Sequence, residues 1–266
     1  MIGSGYSGIV FRLGLPCTDR IVGEYPTDPV SKIMVRNDAL RELQIADIVR
    51  LYDPGGLFTI LPKGLCSFDL EIATQIADMV SAKEFNRIRR MGFNTILFSE
   101  YGGETLSNII ADLYEKDNKK IRFKIILGMI ELFFHVCDMN RMGYVHNDIK
   151  PDNFVWNGTS MYLIDFGNSK KIEDSLDRAL FDIPYEENLV KEYLVGVSSY
   201  REDVQPTRDM TGICCIIQSL FKEDTELEEW RSENNFSENW ELGDDTITWC
   251  EMEEKISNLR DIIMES

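Results

Sequence analysis

The sequence predicts an α+β protein, with a mainly antiparallel, strand-rich first part and a mainly helical second part. Three observations predict it. Residues 1–35 hold glycines followed by alternating apolar stretches, the pattern of a strand, a turn and further strands. In the later part of the chain the apolar residues recur at helical spacing instead. Between the two, Glu100-Tyr101-Gly102-Gly103 reads as a hinge, which sets the expected domains at 1–101 and 102–266.

Each element follows from its local pattern. From Asn37 to Tyr52, Leu40, Leu43, Ile45, Ile48 and Val49 recur with mostly helical spacing after an Asn-Asp pair able to cap a helix. Further strands are expected within Leu57–Ile72 and Asn94–Phe98, so the first hundred residues read as sheet with one notable helix. Ile121–Met142 carries Ile125, Ile126, Met129, Ile130, Phe133 and Cys137 at helical spacing, and Gly143 stands where a helix commonly stops. Asp209–Phe221 is apolar on nearly every side after its first turn, as a buried central helix would be. Trp230, Trp240 and Trp249 are expected to anchor a reduced helical end.

Composition excludes several classes. The apolar runs are short and interrupted, well below the roughly 20 residues of a membrane span. No secretory signal is visible at Met1, so an intracellular, reducing address is expected. The six cysteines show no CxxC pair and the histidines are His135 and His146, so neither a disulfide nor a zinc framework is expected. The net charge is −18, and residues 221–266 alone carry 15 acidic and 4 basic side chains. Direct binding to a phosphate backbone is therefore disfavoured. The acidic end reads as a solvated surface, or as a field that attracts basic partners.

Three motifs carry chemistry. Gly3-Ser4-Gly5-Tyr6-Ser7-Gly8-Ile9-Val10 fits G-x-G-x-x-G-x-V, in which glycines let backbone approach phosphate oxygens closely. Alone it equally describes an ordinary hairpin. His146-Asn147-Asp148-Ile149-Lys150-Pro151-Asp152-Asn153 is far more specific. Its four fixed positions, at about 5% usage each, would recur by chance roughly once in a thousand such chains. Asp165-Phe166-Gly167 then follows Leu163-Ile164, a strand ending in a turn.

These motifs, in this order, resemble those of the protein kinase family from Gly3 to about Phe221. The resemblance implies a bilobed kinase-like fold with ATP in the cleft between an N-terminal and a C-terminal lobe. Gly3, Gly5 and Gly8 would cover the phosphates, Lys32 would hold the α- and β-phosphates, and Glu42 would pair with Lys32, with Asp38 and Asp47 as acidic alternatives. Val10, Val30 and the hinge around Glu100 would bury the adenine, with Ser99 at the back of the pocket. Asp165 and Asn153 would hold Mg²⁺, Asp148 would accept the hydroxyl proton, and Lys150 would neutralise the moving phosphoryl group. His146 would be a packed structural residue and Asp209 a brace for the catalytic-loop backbone.

The Lys-Pro pair after Asp148 is similar to the serine/threonine branch, which implies a protein substrate. Gly196-Val197-Ser198-Ser199-Tyr200 through Asp209 is similar to the casein kinase and vaccinia-related kinase pattern, and compact kinases of large DNA viruses share this look. A host cytoplasm or a virion would then be its place. Departures are Asn147 in place of an arginine, Val197 in place of a threonine, and only two residues before Gly3. They leave room for a pseudokinase scaffold, and a small-molecule kinase is the other alternative. The sequence says nothing of oligomeric state.

Overall fold

The computed structural model describes residues 3–5, 8–116, 118–171, 208–221, 224–233 and 249–265. They form a mixed α+β protein whose chain separates into two compact units. One comprises Met1–Gly103 with Ile164–Gly167, the other Glu104–Leu163 with Asn168–Ser266. No helix among the described residues is long and apolar enough to cross a membrane.

The first unit is organised by a sheet of β1 (Gly3–Gly5), β2 (Gly8–Phe11), β3 (Val22–Gly23), β4 (Pro29–Met34), β5 (Gly64–Ser67) and β6 (Thr95–Glu100). Their order is β1-β2-β4-β6-β5-β3, and every neighbour is antiparallel. Strand alternation splits the core between two faces. Ile9, Phe11, Ile33, Cys66, Ile96 and Phe98 pack on one face with Ile72, Ile76 and Ile88 from α2 (Leu70–Gln75) and α3 (Ala82–Met91). Met34, Leu65 and Leu97 pack on the other against Ala39 and Leu43 of α1 (Arg36–Tyr52). Lys32, two residues from Met34, therefore emerges on the α1 side.

Four expectations are corrected here. Helix α1 begins at Arg36 with Val35 as an N-cap lacking a side-chain bond, so Asn37 and Asp38 lie inside its first turn. Its buried stripe is Ala39, Glu42, Ile45, Ala46 and Val49, while Leu40 and Ile48 face outward. The strand-rich reading of Leu57–Ile72 gives way to one short strand followed by α2, and α3 was not anticipated at all. Finally, Cys17 and Cys66 form a disulfide. The missing CxxC spacing excludes a local bridge, yet folding lays the loop after β2 along β5. There Thr18 N–H donates to the Ser67 carbonyl at 3.1 Å, and Ser67 donates its N–H and hydroxyl to Asp19.

In the second unit α4 (Leu106–Lys116) and α5 (Lys119–Arg141) lead into β8 (Tyr144–Val145). β7 (Glu104–Thr105), β9 (Phe154–Trp156) and β10 (Met161–Leu163) make one small sheet, and β8 pairs with β11 (Lys170–Lys171) in another. α5 buries Ile125, Ile126, Met129, Ile130, Phe133 and Cys137, the residues whose spacing predicts it. It is followed by α6 (Arg208–Ser219), which buries Ile213, Cys214 and Ile217, and by α7 (Thr225–Glu233) and α8 (Trp249–Glu265). Trp230 lies edge-on to Phe221 at 5.7 Å. Gly196–Tyr200, including Val197 and Ser198, and Trp240 lie outside the described residues.

Candidate functional site

Two polar clusters form, one in each unit. In the first, the Lys32 ammonium lies 2.7 Å from Glu42 Oε1 and 3.1 Å from Asp165 Oδ1. β4 presents Lys32 on the α1 side, and Glu42 occupies the buried stripe of α1, where an apolar residue would ordinarily stand. That position excludes the alternatives: Asp38 and Asp47 are exposed. Burial opposes the charge on Lys32, but Glu42 and then Asp165 outweigh it and hold the ammonium above the usual lysine range. Burial pushes the Glu42 carboxyl upward, Lys32 pulls it down, and Asp165 adds a further upward push.

Asp165 has φ of +61°, a left-handed conformation uncommon outside glycine. Gly167 follows closely, and a Cβ there would come 3.1 Å from Glu42 Oε1, so the turn needs glycine to approach the pair. Val10 lies opposite Lys32, and Val30 precedes it by two residues, so both share its face of the sheet. Glycines 3, 5 and 8 lie on the β1–β2 hairpin, whose tip residues, Tyr6 and Ser7, are outside the described residues. Gly8 has a packing reason as well, since a Cβ would meet the Ile33 carbonyl oxygen at 2.7 Å.

The Glu100 side chain is engaged by its own unit. Its carboxylate accepts from the Thr27 and Asp28 N–H groups at 3.1 and 3.0 Å and from the Lys63 ammonium at 2.9 Å. Burial would raise its pKa, but the Asp28 N–H, Lys63 and the Thr27 N–H together lower it. Any contact of Glu100 with a ligand would therefore come from its backbone. Its side chain straps down the loop before β4, where Arg12 makes a paired bond to Asp28 and stacks 3.4 Å above the Tyr101 ring.

The second cluster is the loop between β8 and β9. Lys150 Nζ donates to Asp148 Oδ2 at 2.6 Å, and Asn153 Nδ2 donates to the Asp148 carbonyl and to Oδ2 at 2.7 and 3.0 Å. Asn153 is buried and spends its amide nitrogen on Asp148, which leaves its Oδ1 as the atom suited to a cation. Burial would raise the Asp148 pKa, but the bonds from Lys150 and Asn153 outweigh it and hold the carboxylate below its ordinary range.

Asp209, at the start of α6, is buried beneath this loop. It accepts the His146 N–H at 2.6 Å and the Asn147 N–H at 2.9 Å. Asn140, fully buried on α5, was missed by sequence reasoning. Its Nδ2 donates to the Tyr144 carbonyl at 3.1 Å and reaches Asp209 Oδ2 at 3.4 Å. The available signal was a polar residue in register with Phe133 and Val136, on an otherwise apolar face. His146 is fully buried, and its Nδ1 accepts the Asp148 N–H at 3.3 Å.

No protein-family model matches the chain. A search of curated proteins finds similarity to "Putative serine/threonine-protein kinase 040L" of Invertebrate iridescent virus 3, with 25% identity over 126 residues. The match covers 42% of this chain and 38% of that relative's length. A kinase-like relation is supported at that level.

Proposed function

We propose that the chain is an ATP- and Mg²⁺-dependent protein kinase that transfers the γ-phosphate to serine or threonine hydroxyls. The observation that carries the reading is the Lys32 ammonium lodged between Glu42 and Asp165. Two carboxylates fix one cation, and a fixed cation is what positioning a polyphosphate requires. The likeness to a named viral kinase supports the same class.

The donor chemistry of the residues fits a magnesium ion, because the Asp165 carboxylate and Asn153 Oδ1 are hard oxygens. Asp165 and Asn153 would hold Mg²⁺, which when bound supplies positive charge to the phosphate oxygens. The chain's own groups do the rest. Asp148, kept ionised by Lys150 and Asn153, orients the incoming hydroxyl and takes its proton. Lys150 then offsets charge on the transferring group, and Lys32 holds the polyphosphate in place. Asp209 keeps the loop backbone fixed while this happens.

Transfer of radiolabelled γ-phosphate to a generic protein tests the reading. Asp148→Ala should lower incorporation by about 10²-fold or more. Equal incorporation in the variant would overturn the assignment, and a wild-type protein that binds ATP without transfer would identify a pseudokinase scaffold. Parallel assays with sugars and aminoglycosides as acceptors separate a small-molecule kinase.

A further inference from the structure

We propose that Asn147 is a positioning residue, and that its left-handed backbone, not its side chain, aims Asp148. The inference deepens the phosphotransfer reading and rests on it for its kinetic part. Among the described residues, Asn147 and Asp165 are the non-glycine residues with positive φ, and Asn147, at +63°, immediately precedes Asp148.

The backbone around it is pinned at three successive amides. The N–H groups of His146 and Asn147 converge on the two oxygens of the single buried Asp209 carboxylate. The N–H of Asp148 turns to His146 Nδ1. Two consecutive N–H groups can reach one carboxylate only where the chain curls, and the left-handed residue 147 provides the curl. The chain leaves it in the direction that brings the Asp148 carboxylate to Lys150 and Asn153.

The side chain of Asn147 is held far more loosely. Its Nδ2 lies 3.5 Å from the Asn168 carbonyl oxygen, at the outer limit for a hydrogen bond, in an exposed setting. Asparagine is among the few residues besides glycine that visit the left-handed region readily, whereas a β-branched residue is a genuine outlier there. With His146 and Asn147 fixed to Asp209, strain at 147 is relieved by moving the next residue, which is Asp148.

The test is the full chain carrying Asn147→Gly, Asn147→Ala or Asn147→Val. All three delete the side-chain amide, but only their tolerance of positive φ falls in that order. The kcat for phosphate transfer should stay within about threefold of wild type for glycine, fall by roughly tenfold for alanine and by more for valine. The KM for ATP should hold within about twofold, because Lys32 and Glu42 belong to the other unit. Amide hydrogen exchange of His146 and Asn147, read on the same proteins, should accelerate in the same order. Equal losses in all three variants, in kcat or in exchange protection, would place the role in the side chain and overturn the proposal. A wild-type protein without transfer would sink the functional reading instead, and the exchange series would then decide the backbone inference by itself.

Discussion

Lys32 faces two carboxylates in a setting where its side chain and that of Glu42 are only 15% and 10% exposed. Removing the cation therefore leaves Glu42 as a buried charge without its partner. Lys32→Met should cost about 3 kcal/mol in urea unfolding at neutral pH, and adding Glu42→Gln should recover part of the loss. Strict additivity of the two substitutions would show that the pair is not coupled. The pH dependence has a definite sign. Since the folded state holds Lys32 above the ordinary lysine range, its contribution is complete below that range and disappears as the pH climbs through the raised value. The gap between wild type and Lys32→Met should then stay level through neutral pH and close in strong alkali. Asp148, Lys150 and Asn153 were legible because a loop five residues apart brings its own side chains together. Glu42 was legible only as one of three acids, since choosing among them required the face of α1 that packs on the sheet. Asn140 was hidden in an apolar run.

The elements that escaped sequence reading have physical reasons in common. Helix α3 carries Lys83, Glu84, Asn86, Arg87, Arg89 and Arg90, with Ile88 as its buried residue, so it has no apolar period to see. What it does carry is a capping box between Ser81 and Glu84, and Gly92 in a left-handed conformation after its last turn. Apolar runs as short as Leu57–Ile72 do not separate strand from helix by periodicity. The long interval between Gly8 and Lys32 was expected to be an extended connection. It is instead secured by Ser31, whose hydroxyl donates to the Leu13 carbonyl and accepts the Leu15 N–H, and by the disulfide to Cys66. The bridge spans 49 residues, so replacing both cysteines by serine should destabilise the protein by about 3 kcal/mol. Thermal unfolding with and without reductant checks this, and identical transitions would mean that the bond adds nothing to the other contacts of the loop.

At the scale of the molecule, charge decides what can approach. A net charge of −18 creates a field that draws cations and basic proteins and repels acidic ones. Under the proposed function, histone- or protamine-like acceptors should be phosphorylated better than casein at low salt. The preference should narrow as added salt shortens the Debye length to about 10 Å at 0.1 M. A casein preference that persists at low salt would show that contacts near the acceptor hydroxyl, not the overall field, select the substrate. The link between Cys17 and Cys66 also changes what counts as one piece. Lys32 and Glu42, with β3, β4 and α1, sit inside a closed covalent ring. A protease that severs one peptide bond between the two cysteines opens the ring without dividing the molecule. The stretch bearing Lys32 stays attached through sulfur, and the two pieces part only when a reductant is present.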